Sequence, residues 1–100
     1  MIPMIHPTRD INGTCLQGYI TIKFSEIVEV LGKPTFEDGD KVTAEWSFKT
    51  HNNIVFTLYD YKEDSTPKGE YSWHIGGHDQ RAMLIVQRLF PTHFVRSYRA

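Results

Sequence analysis

The sequence lacks most of the features that mark a specialised class of protein. It has a single cysteine, Cys15, among 100 residues, so it can form neither an internal disulfide nor a cysteine zinc site. Its formal net charge of -1 provides no basic field of the kind that generic nucleic-acid binding requires. Its longest apolar runs, about five residues, are far shorter than the roughly 20 that span a membrane. A cytoplasmic protein with no membrane partner is expected.

The start of the chain, MIPMIHPTRD, lacks the basic segment and the following apolar segment of a signal peptide. One hundred residues predict a single domain, 1–100. Residues 1–14 contain Pro3, Pro7 and Gly13 and show no period, which indicates an extended arm. Residues 92–100, THFVRSYRA, form a basic and aromatic tail.

Hydrophobic periodicity predicts the regular structure between these ends. Strict alternation of apolar and polar residues is typical of strands, and apolar residues three and four apart are typical of helices. The predicted strands are residues 18–24, 42–48, 53–62 and 70–75, and the predicted helices are residues 25–34 and 79–90.

Capping residues mark both predicted helices. Ser25 and Asp79 are the predicted N-caps, since short polar side chains accept hydrogen bonds from the free N–H groups of a first turn. Gly32 is predicted to take the left-handed position after the first helix, and Pro34 and Pro91 are predicted to prevent continuation.

The order β-α-β-β-β-α predicts an α+β fold. Consecutive strands with short connections favour an antiparallel meander. Two helices that are each apolar on one side are expected to pack on one face of the sheet. In the simplest register, the other face carries Tyr19, Thr57, Tyr59 and Tyr61.

Tyrosines on a sheet face that no helix covers are typical anchors of a protein interface. The loop FEDGDK adds carboxylates that favour a basic partner, although a solvated turn also explains them. The predicted contact residues are Tyr19, Tyr59, Tyr61, Asp38, Asp40 and Glu63. A homodimer interface and coverage by the two terminal segments are alternative explanations of the tyrosine face.

The stretch WHIGGHDQRAMLIV, residues 73–86, offers a second kind of site. Two glycines before a helix let backbone approach a phosphate or carboxylate, and a helix N-terminus favours anions. The predicted ligands of a nucleotide-type anion are His74, Gly76, Gly77, His78 and Arg81. The alternative is that the glycines only allow a sharp turn or close packing.

No residue pattern indicates catalysis, a metal site or a cofactor. His74 and His78 lack a third converging ligand. Cys15 in TCLQGY is typical of a small buried residue rather than of a thiol nucleophile. The sequence therefore favours a binding protein that is not an enzyme.

The combination GYI…LGKP…DGDKVTAEW…LYDYK…WHIGG, which spans most of the chain, resembles a family of small accessory proteins of tailed bacteriophages. This resemblance implies a phage protein that binds and blocks a host component, such as a CRISPR effector or a cyclic-nucleotide defence system. It implies no reaction. Residues 25–61 also resemble the helix-and-hairpin unit of the outer-membrane assembly lipoprotein family and of the beta-lactamase-inhibitor-protein fold.

Overall fold

The computed structural model describes residues 4–98. Within that range the chain forms seven strands and two helices. The strands are β1 (Ile5–Pro7), β2 (Cys15–Lys23), β3 (Phe36–Glu37), β4 (Ala44–Thr50), β5 (Val55–Tyr59), β6 (Glu70–Gly77) and β7 (Phe94–Ser97), and the helices are α1 (Phe24–Leu31) and α2 (Arg81–Leu89). The predicted α+β class, with two helices and an antiparallel sheet, is confirmed.

The strands form one sheet in the order β1-β4-β5-β6-β2-β7, and the short β3 also pairs with β4. Every pairing is antiparallel. β4, β5 and β6 form the meander that the three consecutive periodic segments predict. β2, although it comes earlier in the chain, lies between β6 and β7.

The hydrophobic core lies between the helices and one face of this sheet. Alternate residues of the strands point towards it, and the buried sides of both helices pack on them. The largest side chains in the core are Trp46 and Trp73, whose rings pack edge to face at 5.4 Å. The indole Nε1 of Trp46 donates to the carbonyl of Gly32 at 2.9 Å, so α1 is joined to the sheet where the helix ends.

The two terminal segments contain strands that the periodicity does not predict. β1, in the predicted arm, pairs with β4, and β7, in the predicted tail, pairs with β2. The alternating pattern is not visible over three or four residues, and the pairing depends on a neighbouring strand that lies far away in the sequence. Residues 1–3 and 99–100 of these segments lie outside the described range.

The predicted cap at Ser25 is wrong. α1 begins at Phe24 with Lys23 as its N-cap, and the Lys23 N–H donates to the Glu26 carboxylate at 3.1 Å. The Glu26 carboxylate therefore satisfies the N–H of Lys23, while Ser25 lies inside the helix rather than at its N-cap. Gly32 has a positive φ, 79°, but its ψ of -159° lies outside the left-handed helical conformation that was predicted.

The connection between β1 and β2 crosses half of the other sheet face, called here the open face. β4, β5 and β6 separate β1 from β2 in the sheet, so residues 8–14 must pass over them. Thr8 donates through its N–H to the Ser47 carbonyl and accepts from the Ser47 hydroxyl. Residues of this segment line a cavity with Lys49 and Val55, whose side chains belong to the open face.

This segment, residues 8–14, explains why two polar side chains of the open face are buried. Ser47 and Thr57 are 0% and 2% exposed, although no helix lies above them. The predicted coverage of the open face by the terminal segments therefore applies to this half of it. The half nearer to Tyr19 and Tyr59 stays accessible.

Candidate functional site

The accessible half of the open face is organised as one row of side chains that runs across the sheet. Glu45 lies opposite Tyr59, and Tyr59 lies opposite His74. His74 in turn lies opposite Tyr19, and Tyr19 opposite Arg96. Because directly paired residues project from the same face, these five side chains form a continuous line over five strands. We call it the cross-sheet row.

His74 is the centre of an aromatic cluster within this row. The ring centroids of Tyr19 and Tyr59 each lie 5.1 Å from that of His74, the first edge to face and the second stacked. Tyr61 contacts the same imidazole at 5.9 Å. The Arg96 guanidinium lies 4.2 Å from the centroid of the Tyr19 ring, a distance typical of a cation–π contact.

A buried carboxylate positions the end of β5 from which Tyr59 and Tyr61 project. Asp60, 0% exposed, accepts from the Thr43 N–H at 2.8 Å, the Thr43 hydroxyl at 2.5 Å and the Ala44 N–H at 3.2 Å. These bonds attach residue 60 to the start of β4. Because Tyr59 and Tyr61 flank Asp60 in the sequence, these bonds also restrict the positions of both tyrosines.

Burial perturbs three ionisable groups of the row. Burial lowers the pKa of His74 from its ordinary value of 6.5, against the smaller opposing effects of the Tyr59 backbone and of the carboxylates of Asp60 and Glu63. Burial and the charge of Glu45 raise the pKa of Tyr59 to about 12. Burial also raises the pKa of Glu45. In each case, burial disfavours the charged form of the group.

The lowered pKa of His74 predicts a pH dependence of stability. Below pH 6.5 the unfolded chain binds a proton at residue 74 more readily than the folded chain does, so the free energy of unfolding falls as the pH falls towards the folded-state pKa. We expect His74→Gln to lose this part of the pH dependence. The measurement is urea unfolding of both proteins between pH 7.5 and 5, with His51→Gln as an exposed control. Parallel pH profiles for wild type and His74→Gln would contradict the prediction.

The structure brings the three predicted tyrosines together, and it places the predicted acids differently. Glu63 accepts the Tyr71 hydroxyl at 3.1 Å and lies close enough to His74 to affect its pKa. Asp38 and Asp40 are exposed in the loop between β3 and β4, outside the cross-sheet row.

The five residues of the predicted anion site do not converge. Gly76 and Gly77 lie inside β6 and pair with both neighbouring strands, β2 and β5. His74 belongs to the open face, while His78 is exposed after the strand has ended. The Arg81 guanidinium binds the Asp79 carboxylate at 2.9 Å.

Close packing accounts for both glycines. A Cβ atom at Gly76 would collide with the Thr57 hydroxyl, and one at Gly77 would lie 2.5 Å from the Ala82 Cβ. Neither residue has a positive φ, so the constraint is space rather than backbone conformation. Of the two explanations of the GG pair, packing is the one that these distances favour.

Sequence reasoning missed Glu45 and Arg96, which end the cross-sheet row. Glu45 had a usable signal, because it alternates with the inward residues Ala44 and Trp46 and so must face outwards. Arg96 had none, since its position depends on β7, which forms only by pairing with β2.

Residues 4–98 contain neither a candidate metal centre nor a membrane-spanning helix. No three histidine, cysteine, aspartate or glutamate side chains in that range are grouped so that they could hold a metal ion. Neither α1 nor α2 is long and apolar enough to cross a membrane.

The cross-sheet row together with Tyr61 is the candidate functional site. It combines aromatic rings with the carboxyl group of Glu45 and the guanidinium of Arg96 on an accessible sheet face. A function is inferred below from this chemistry. Compared with protein-family models, with curated proteins and with solved structures, the chain gives no match.

Proposed function

We propose that this chain is a non-enzymatic binding protein that docks its open face onto a host bacterial protein and blocks it by occlusion. The observation that carries the proposal is the aromatic cluster around His74, in which Tyr19, Tyr59 and Tyr61 meet on a face that no helix covers. Tyrosine and arginine are over-represented among the residues that dominate binding energy at protein interfaces.

The cluster is suited to binding because most of its ordering is complete before a partner arrives. Tyr19, Tyr59 and His74 are half-buried against one another, so they lose little side-chain entropy on docking. Tyr61 and Phe94 remain 40% and 65% exposed on the same face. Their burial against a partner supplies apolar contact area beside the preordered rings.

The nature of the target follows from the resemblance to accessory proteins of tailed bacteriophages. Small phage proteins of this kind act in the bacterial cytoplasm, and a defence component such as a CRISPR effector is the proposed target class. Occlusion needs only a surface of suitable shape and chemistry, which agrees with a site built from rings and single charges.

Tyr61→Ala is the variant that tests this proposal. Tyr61 is more exposed than the other two tyrosines, so its removal affects the fold least. We expect roughly 30-fold weaker binding to the captured partner, the effect of losing an interface residue worth about 2 kcal/mol. The measurement is a tagged pulldown from nuclease-treated bacterial lysate, followed by titration of the identified protein.

Leu84→Ala is the matched control, because Leu84 is 62% exposed on α2, on the opposite side of the sheet. It should capture the partner as wild type does. Equal capture by Tyr61→Ala, with an unchanged thermal melt, would overturn the proposal. Capture that is lost equally in both variants would place the interface elsewhere and would overturn it as well.

A further inference from the structure

A recess beside the cross-sheet row contains a carboxylate that has no cation partner. Glu45, Tyr59 and Tyr61 line a cavity of about 160 Å³ together with Cys15 and Gly76. Gly76 forms part of the lining, and it is closely packed, since an added Cβ would lie 3.4 Å from the Tyr59 ring and against the Thr57 hydroxyl. The recess is therefore bounded by two aromatic rings and one acid.

Glu45 is half-buried at the edge of this recess. Within residues 4–98 its carboxylate forms neither a salt bridge nor a hydrogen bond. Burial already raises its pKa, because a charge removed from water without a partner is unfavourable. An incoming cation would relieve this cost at the moment of docking.

The aromatic rings beside the Glu45 carboxylate also favour binding of a cation. Aromatic faces attract ammonium and guanidinium groups within about 6 Å of the ring centroid. The Lys62 ammonium, 5.4 Å from the Tyr61 centroid, is a contact of this type within the chain. Lys62 forms no ion pair with Glu45, so the carboxylate is still available to a second cation.

We propose that the recess lined by Glu45, Tyr59 and Tyr61 takes a basic side chain, lysine or arginine, of the docked protein. This inference rests on the proposed function and names the chemistry of the anchor that the partner supplies. A carboxylate together with aromatic faces fits a cation on an aliphatic stem, since the stem packs on the rings while the charge meets the acid.

The test uses N-acetyl-lysine methylamide as the probe and the neutral N-acetyl-norleucine methylamide as its control. Each is titrated into the full-length, ¹⁵N-labelled protein, and amide chemical shifts are followed. We expect saturable shifts for the lysine probe at residues 45, 57, 59, 61 and 76. Glu45→Gln should bind it about tenfold more weakly, the effect of losing one charge-assisted hydrogen bond. Glu29→Gln, an exposed acid on α1, should bind it as wild type does.

Cys15 provides a second measurement that needs no change to Glu45. It is exposed and lies at the rim of the recess, and it is the chain's one cysteine. A bulky maleimide adduct at this thiol should prevent binding of the lysine probe, whereas Cys15→Ser treated with the same reagent should bind normally.

Shifts that do not saturate, or that Glu45→Gln leaves unchanged, would overturn the basic anchor. Failure of the basic anchor and failure of the proposed function give different results. If the captured partner depends on Tyr61 and is indifferent to Glu45→Gln, the open face is still the interface and only the anchor is wrong. If the partner is indifferent to Tyr61→Ala, the proposed interface itself is wrong, whatever the probe does.

Discussion

Asp60→Ala is expected to lower the free energy of unfolding by about 3 kcal/mol, or more. The carboxylate is fully buried and accepts three hydrogen bonds from Thr43 and Ala44. Removing it leaves two backbone N–H groups without an acceptor, and each such buried donor costs about 1–3 kcal/mol. For a domain of this size, the loss corresponds to a fall in melting temperature of roughly 12–24 °C.

Two further variants make this expectation specific. Asp60→Asn keeps one acceptor oxygen of nearly the same shape, so its loss should be clearly smaller. Asp64→Ala removes an exposed carboxylate from the loop that follows and should change stability by less than about 0.5 kcal/mol. Thermal and urea unfolding measure all three. If Asp60→Ala melts within a few degrees of wild type, the three bonds do not hold β5 to β4.

Gly77→Ala is expected to destabilise the protein by about 2 kcal/mol. The new Cβ would lie 2.5 Å from the Ala82 Cβ and 3.2 Å from the Val55 carbonyl oxygen. Atoms this close cannot coexist, so α2 must shift from the sheet, and overpacking of this kind costs typically 1–3 kcal/mol. Gly69→Ala is the control, because a Cβ there meets nothing within 4 Å and no left-handed backbone is required.

A double-mutant cycle distinguishes this collision from a general effect of replacing a strand glycine. Ala82→Gly alone should cost about 1 kcal/mol as a helix glycine, but it removes the atom that Gly77→Ala strikes. The double variant should therefore be more stable than the sum of the two losses by about 1 kcal/mol. Strict additivity of the two losses, measured by urea unfolding, would show that the Ala82 contact is not the cause.

The sequence predicted the outward direction of the tyrosines of the aromatic site, but not their contacts with His74. Tyr19 and Tyr59 alternate with residues such as Ile20 and Leu58 that are buried in the core, so the strand period fixes their outward direction. The period does not reveal which strands are neighbours. That β5 lies beside β6, and β6 beside β2, is what brings the tyrosines to His74.

Missing information on spatial neighbours also explains why the sequence left two interpretations of residues 73–86 open. The sequence shows two glycines between an aromatic strand and a helix, a pattern that a ligand-binding turn and a packing constraint share. The difference lies in what surrounds them: Thr57 on one face and Ala82 on the other. Thr57 is distant from Gly76 in the sequence. Ala82 is only five residues from Gly77, but its contact depends on how α2 packs on the sheet, which the sequence does not show.

The sequence by itself determined the α+β class, the two helices, the four longer strands and the outward direction of the tyrosines, because these depend on local periodicity and on the capping glycine at residue 32. Only the tertiary structure decided that the two ends of the chain add strands to the sheet, that residues 8–14 cover half of the open face, and that Glu45 and Arg96 end one row with His74 at its centre. Which strands lie side by side is decided by pairing between segments that are distant in the sequence, and local periodicity carries no signal of that order.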